Sequence, residues 1–324
     1  MEPSALRRVI TVNPSAHLAQ FNISRLRHPI GHPATKPFED LIDETNARAE
    51  SSPGFVWRHG IDSRDTDSTA YDDPLVLVNA SVWESPQHLR EFAYRDFHRA
   101  VFRRRDEWMD GSAAVMWWVP AGDTPSLEEC KQRLWFFEQF GSSPFAFRTG
   151  ERVPQLVMRR HRPDDDVARQ LLDALDHSLL AATPAGGSNF LALPADDVAP
   201  GAGLFAIAWL DGTPVGCGAW RRIDEDAGRP ATGEVKRMWV DPAARGSMLG
   251  AAILAALEGS ARASGISELR LETAEYLEPA VRLYRRFGFE ACPPWGDYVG
   301  AANSLTMAKP LGPIRHCRLS HRHG

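Results

Sequence analysis

From His17 the chain settles into short apolar runs separated by polar breaks. The run Leu18 to Ile23 reads as a strand, and Phe38, Leu41, Ile42 and Ala47 then fall on one helical stripe. Pro53-Gly54 interrupts the chain before a short strand, Phe55 to Arg58. A loop rich in Asp and Ser (61–73) leads to a β-rich run, Leu75 to Trp83. Ser85 is placed to cap a long helical region reaching about Trp108, and Gly111 precedes a further strand, Ala114 to Val119. A helix from about Ser126 to Phe140 closes this part. The order is β-α-β-β-α-β followed by one helix, the split arrangement of a ferredoxin-like domain.

The second half has its own pattern. A strand near Leu156 to Arg160 precedes a helix from about Asp164 to Leu180, with Val167, Leu171, Leu172, Leu175 and Leu179 at helical spacing. A loop rich in Pro, Gly and Ala (182–203) leads to strands Leu204 to Leu210 and Pro214 to Arg221. Asp211-Gly212 joins them, a strong hairpin signal. A strand (Gly233 to Val240), a helix (about Met248 to Ser264), a strand (Glu268 to Glu272), a helix (about Glu278 to Phe287) and two terminal strands follow. We expect a loose leader at 1–15, a first domain at 16–147, a polar connection at 148–155, a second domain at 156–311 and a flexible tail at 312–324.

At 324 residues the chain exceeds the usual reach of one hydrophobic core, in keeping with two domains. Hydrophobic residues at 43% and charged residues at 24% are the balance of a soluble globular protein. A formal net charge of −5 argues against nucleic acid as a partner, because phosphate contacts need basic residues in excess. The basic run Arg103-Arg104-Arg105 is offset at once by Asp106, Glu107 and Asp110, and reads as a solvated helix face. Cys130, Cys217, Cys292 and Cys317 form no CxxC pair, so neither structural zinc nor a disulfide framework is expected. No apolar stretch approaches the ~20 residues of a membrane span, and no secretory leader is evident. A cytoplasmic protein without membrane attachment is the expectation.

The chemistry concentrates in residues 233–289. A strand ends at Val240, a loop from Asp241 to Ser247 holds Arg245-Gly246, and an apolar helix begins with Leu249, Ile253, Leu254 and Leu257 on one face. A strand, a glycine-bearing turn and a helix N-terminus together present backbone N–H groups to an anion, and a diphosphate fits there without a metal. By itself that is a weak signal.

The combination is more specific. The strand Glu234 to Val240, the RGxxxG loop Arg245 to Gly250 and the LYRRFGF run Leu283 to Phe289 resemble, in order and spacing, the GNAT superfamily of N-acetyltransferases. The likeness covers the whole second domain. It implies an acetyl-CoA co-substrate, its diphosphate at Arg245, Gly246, Ser247, Met248, Leu249, Gly250 and Ala251, and its pantetheine arm along the backbone of Met238, Trp239 and Val240. It also implies Glu234 as general base and Tyr284 as general acid. The alternatives for these two are an exposed strand-edge carboxylate and a packing aromatic on an amphipathic helix. The acceptor is an amine, on a small molecule or a protein. At the position of Met248 the family usually has glycine. Methionine is harmless there if it already belongs to the helix, and strained if its backbone is left-handed; we expect the helical case.

The loop Pro293 to Tyr298 offers an acceptor wall, with Asp297 to attract an ammonium and Trp295 or Tyr298 to pack on it; an ordinary turn is the alternative. The first domain resembles an uncharacterised bacterial family of the dimeric α/β-barrel fold through SPGFVWR (Ser52 to Arg58), VNASVWES (Val78 to Ser85), HRAVFRRRDEW and MWWVPAG. That likeness implies a homodimer built by sheets pairing face to face. Trp57, Trp83, Trp117 and Trp118 suit a core and dimer interface, or a pocket for an aromatic or lipophilic ligand, even a cofactor-free oxygenase site. His88 and His98 lie too far apart for an i,i+4 metal pair, and the tail with His316, Cys317, His321 and His323 reads as disordered rather than metal-binding. The fold class expected is α+β, a ferredoxin-like domain before a GNAT domain. The expected function is acetyl transfer to an amine, with a non-catalytic acyl-CoA sensor or assembly module as the alternative.

Overall fold

The computed structural model describes residues 15–60, 71, 73–93, 103–183, 193–223, 231–301 and 303–314. The chain divides into two compact units, Pro14 to Val157 and Met158 to Pro313, with the chain ends assigned to one or the other. Among the described residues no helix is long and apolar enough to cross a membrane.

The N-terminal unit is a four-stranded sheet with helices. Its elements are β1 (Ala16–Leu26), α1 (Lys36–Glu50), β2 (Phe55–Gly60), β3 (Val76–Trp83), α2 (Pro86–Ala93), β4 (Met109–Pro120) and α3 (Leu127–Phe140). The strand order is β2-β3-β1-β4, and every pairing is antiparallel. Alternation along β1 sorts the side chains. Ala19, Phe21 and Ile23 point to one face, opposite Val82, Ala80 and Val78 on β3 and Trp117, Val115 and Ala113 on β4. Phe21, Ile23, Val82 and Trp117 are completely buried, each contributing roughly 1.5–3 kcal/mol.

The chain's own helix α3 lies over that face. The indole N–H of Trp117 donates to Glu129 at 3.0 Å, and the Arg133 guanidinium sits 5.6 Å from the Trp117 ring centroid. Ser126 caps α3 by accepting from the backbone N–H of Glu129. The four tryptophans singled out from the sequence are divided: Trp117 lies under α3, Trp83 and Trp118 stand opposite Leu18 on the other side, and Trp57 pairs with Val82 on β3.

Two expectations shift. Strand β4 starts at Met109 rather than Ala114, because β1 is 11 residues long and β4 pairs along all of it, carrying Gly111 within the strand. The helix expected from Ser85 to Trp108 is described over Pro86–Ala93, and Arg105–Glu107 form a 3-10 turn instead of its last turn. Residues 94–102, His98 among them, lie outside the described residues, as do 1–14, 61–70, 72, 184–192 and 315–324, which hold the leader and the histidines of the tail.

The C-terminal unit is built on a seven-stranded mixed sheet, ordered β10-β11-β9-β8-β7-β6-β5. The strands are β5 (Leu156–Arg160), β6 (Gly203–Leu210), β7 (Thr213–Ile223), β8 (Thr232–Val240), β9 (Glu268–Ala274), β10 (Glu290–Ala291) and β11 (Ser304–Pro310). The helices are α4 (Asp166–Ala182), α5 (Leu249–Ala263) and α6 (Glu278–Arg286). The β6–β7 turn has positive φ at both Asp211 (48°) and Gly212 (78°), the mirror-image turn that matches strand twist. Strands β8 and β9 run parallel with α5 as their crossover.

Each face of this sheet carries a helix. On one, Ala168, Leu171 and Leu175 of α4 pack against Phe205, Ile207, Trp209, Cys217, Ala219 and Trp239. On the other, α5 approaches β7 closely: a Cβ at Gly218 would lie 2.7 Å from Ile253 Cγ2 and from Met238 Sδ. Only glycine lets the helix sit so near the strand.

Candidate active site

Strand β8 positions the site, and a bulge shapes it. Cys217 pairs with Trp239 and Ala219 with Lys236, so Gly218 alone faces both Arg237 and Met238. Arg237 takes a left-handed backbone (φ 57°), uncommon for a residue with a Cβ. Its guanidinium is clamped by Asp176 of α4 through contacts of 2.8 and 3.0 Å, which offsets the strain. Just before the bulge β8 leaves its parallel neighbour. Pairing covers Thr232–Val235 with Glu268–Leu271 and ends there, although both strands run on. A wedge opens between them, flanked by the backbone of Met238, Trp239 and Val240.

At the far end of β8 the chain turns into α5. Asp241 caps a 3-10 turn, Pro242–Ala244, by accepting from Ala243 N. Arg245 bonds back to Val240 O, and Ser247 donates to Ala244 O. Gly246 has φ 87° and Met248 φ 60°, ψ 15°. The expectation that Met248 is already helical is therefore corrected: it is the left-handed residue before α5, in the conformation that favours glycine. Neighbouring bonds hold the turn, and the helix registers one residue later. No side chain caps α5, so the N–H groups of Leu249, Gly250 and Ala251 are left to a ligand or water. Strain at Met248 costs about 1–2 kcal/mol, partly offset in a glycine variant by about 0.4–1 kcal/mol of unfolded-chain entropy. Met248→Gly should thus stabilise the protein by about 0.5–1 kcal/mol in urea unfolding while Met248→Ala changes little; equal effects would show that backbone strain is not the cause.

The polar centre of the site lies where the strands part. Glu234, 1% exposed, accepts from Arg221 Nε at 2.8 Å, Lys236 Nζ at 3.0 Å and the Tyr298 hydroxyl at 2.5 Å. Burial pushes its pKa up, but Lys236 above all, then the Tyr298 and Arg221 hydrogen bonds, leave it below the ordinary carboxylate value. Arg221 also binds Asp197 at 2.6 Å, and Lys236 donates to Tyr298 at 2.7 Å. Burial and the Glu234 charge push the Tyr298 hydroxyl well above the usual phenol range. Both Glu234 oxygens are thus occupied.

Glu272 is in a different state. It is the first β9 residue past the end of the pairing, as Lys236 is on β8. Ser304 donates to its Oε1 at 2.9 Å, and burial raises its pKa above the ordinary carboxylate value. Tyr284 of α6 is buried, packs edge-on to Phe289 at 6.0 Å, and has its pKa pushed well up by burial and by the charge of Glu272. Glu272 was missed in the sequence because Glu268, Glu272 and Glu275 share one short stretch. The signal available was alternation: Leu269 and Leu271 point into the core, which turns Arg270 and Glu272 to the face carrying Glu234.

Of the acceptor-wall residues, Tyr298 joins Glu234 and Lys236 directly. Trp295 packs against Tyr298 at 5.3 Å and lies under the Arg270 guanidinium at 5.5 Å. Asp297 is exposed in the 3-10 turn Gly296–Tyr298 and stands apart from this cluster.

The Acetyltransferase (GNAT) family matches residues 172–289, and a domain of unknown function (DUF3291) matches residues 17–163. The IAA acetyltransferase of Azospirillum brasilense is 40% identical over 159 residues, 49% of this chain and all of that protein. The chain belongs to the GNAT acetyltransferase family. Membership makes the C-terminal unit an N-acetyltransferase and sets aside the non-catalytic sensor. Among solved structures, a Klebsiella pneumoniae protein described as an acyl-CoA N-acyltransferase is 31% identical, covering 48% of this chain and 98% of that one, with a TM-score of 0.40. A GNAT family acetyltransferase from Elizabethkingia anophelis, crystallised with acetyl-CoA bound, is 15% identical over 48% of this chain and 98% of its own, with a TM-score of 0.34.

Proposed function

We propose that this GNAT N-acetyltransferase moves the acetyl group of acetyl-CoA directly to an amine at the mouth of the β8–β9 wedge, with Glu272 as the proton acceptor. The observation that carries this reading is the position of Glu272: it lies where the strands separate, with a raised pKa and, among the described residues, Ser304 as its side-chain hydrogen-bond donor. The diphosphate would rest on the Arg245–Ala251 turn and the pantetheine arm along Met238, Trp239 and Val240. The amine, ~99.9% protonated at neutral pH if it resembles lysine, must lose a proton before attack. A carboxylate of raised pKa is the better base for that step.

Attack forms the C–N bond and places negative charge on the carbonyl oxygen, within reach of backbone N–H groups that β8 frees beyond its bulge. Collapse breaks the C–S bond, and the thiolate takes a proton from Tyr284, whose raised pKa keeps it protonated until then; the extra proton left on nitrogen by attack departs through solvent, which reprotonates Tyr284. Glu234, the base suggested by the family pattern, serves in this scheme as the anion that holds Lys236 and Tyr298 at the acceptor side. A side chain with both oxygens engaged and a lowered pKa is a poor proton acceptor. Amine panels read by CoA release, run on Glu272→Gln beside Glu234→Gln, decide between the two carboxylates.

Tyr284→Phe should lower kcat by about 10–100-fold, at the foot of the range for general acids because a thiolate is a good leaving group, with acetyl-CoA KM nearly unchanged. Unchanged kcat would remove Tyr284 from the mechanism. For the N-terminal unit, strand order and antiparallel pairing support the ferredoxin-like class. Any self-association would use a surface other than the sheet face under α3.

A further inference from the structure

The other face of the N-terminal sheet holds a feature that acetyl transfer does not use. Between this face and the helices α1 and α2 lies a cavity of about 330 Å³. A sheet face under helices ordinarily completes an apolar core. Here the register sets Gln20 beside Ser81 and Asn22 beside Asn79, with Ser24 next along β1. A polar patch therefore occupies the middle of the covered face. The apolar packing is split around it, into one cluster holding Leu18, Trp83 and Leu89 and another holding Leu26, Ile42 and Leu77.

Such a patch is out of place on a face that helices cover, and its half-buried amides stay accessible to a molecule entering the cavity. Among the described residues no side-chain hydrogen bond engages Gln20, Asn22 or Asn79, and all three line the cavity, half-buried. The lining names the chemistry of an occupant. It contains no carboxylate among the described residues. Its arginines are paired, Arg58 with Glu50 at 2.7 Å and Arg105 with Asp106 at 3.3 Å. Flat aromatic walls stand at both ends, Phe38 and Trp108 at one, Phe55 and Trp83 at the other.

We propose that the N-terminal unit binds a neutral, flat aromatic molecule bearing amide, carbonyl or hydroxyl groups, held on Gln20, Asn22 and Asn79 between the sheet and α1. The volume is at the small end for ligand pockets and suits a one- or two-ring compound. The aromatic rings supply contact area, while the amides, each both donor and acceptor, fix orientation.

The test titrates 1-naphthamide into the full-length protein, followed by calorimetry and by tryptophan fluorescence, which Trp83 and Trp108 make sensitive to this cavity. Saturable one-to-one binding is expected, at least tenfold tighter than that of 1-methylnaphthalene, which lacks the polar group, or of 1-naphthoate, which is charged. Asn79→Leu, similar in volume, should weaken naphthamide at least tenfold and leave 1-methylnaphthalene within twofold. Asn22→Phe, which fills the cavity, should abolish both. Wild-type rates of CoA release and a near-wild-type thermal transition establish that the variants are folded; the three-probe comparison on the wild type stands by itself if they are not. Equal affinity for 1-methylnaphthalene and 1-naphthamide, tighter binding of 1-naphthoate, or no saturable binding of any probe would overturn the proposal.

Discussion

Glu272→Gln should lower kcat for acetyl transfer by about 10²–10³-fold, within the range set by losing a general base, while acetyl-CoA KM stays within about twofold. The amide keeps the size of the carboxylate and can still accept from Ser304, which donates at 2.9 Å in the wild type. What it loses is the capacity to take a proton. The pH profile adds a second signature. A base works only when deprotonated, so wild-type kcat should fall as pH falls through the Glu272 pKa, which burial holds above the ordinary carboxylate value. That acidic limb should vanish in Glu272→Gln. Turnover within threefold of wild type, with the limb intact, would sink the assignment and return the base role to Glu234.

Glu234→Ala should destabilise the folded protein by about 3–5 kcal/mol, the usual result of removing one partner from a buried ion pair. Truncation strips Arg221 and Lys236 of their shared anion, with Lys236 only 7% exposed, and leaves the Tyr298 hydroxyl without its acceptor. Glu234→Gln, which keeps the shape and one acceptor oxygen, should cost less. The pH dependence follows from the lowered folded-state pKa. The contribution is complete above the unfolded value, ~4.3, and is lost as pH falls through the folded value. The stability gap between wild type and Glu234→Gln in urea should therefore be constant near neutrality and narrow in acid. A gap that widens as pH falls would contradict a lowered pKa. Because the same hub orders Tyr298 and Lys236, the acceptor KM of Glu234→Gln should rise more than its kcat falls.

Much of this architecture is legible from local pattern. The Asp211-Gly212 turn, the helix stripe on Leu171 and Leu175 and the loop around Arg245-Gly246 are dictated by residues within a few positions of one another, and such features survive into the fold with little change. Met248 shows where local reasoning stops. Its side chain suits a helix, and only the bonds that close the loop before it require a left-handed backbone. Likewise Gly111 looks like a strand break until β1 supplies a partner along its whole length.

The sequence by itself determined that two units exist, which strands and helices compose them, and that the second is an acetyltransferase, since those facts rest on periodicity, turn chemistry and motifs held within short spans. The tertiary structure decided the roles of the charged residues. Glu234 and Glu272 are both strand carboxylates in similar local company, and nothing in either segment says which is engaged. Arg221 reaches Glu234 from the neighbouring strand β7, and Tyr298 reaches it over a sequence separation of 64 residues. Burial raises the Glu272 pKa at the point where β9 runs on past the end of its pairing with β8. Proton affinity in a fold depends on which charges and donors stand within a few ångströms, and that is a property of pairing between distant strands.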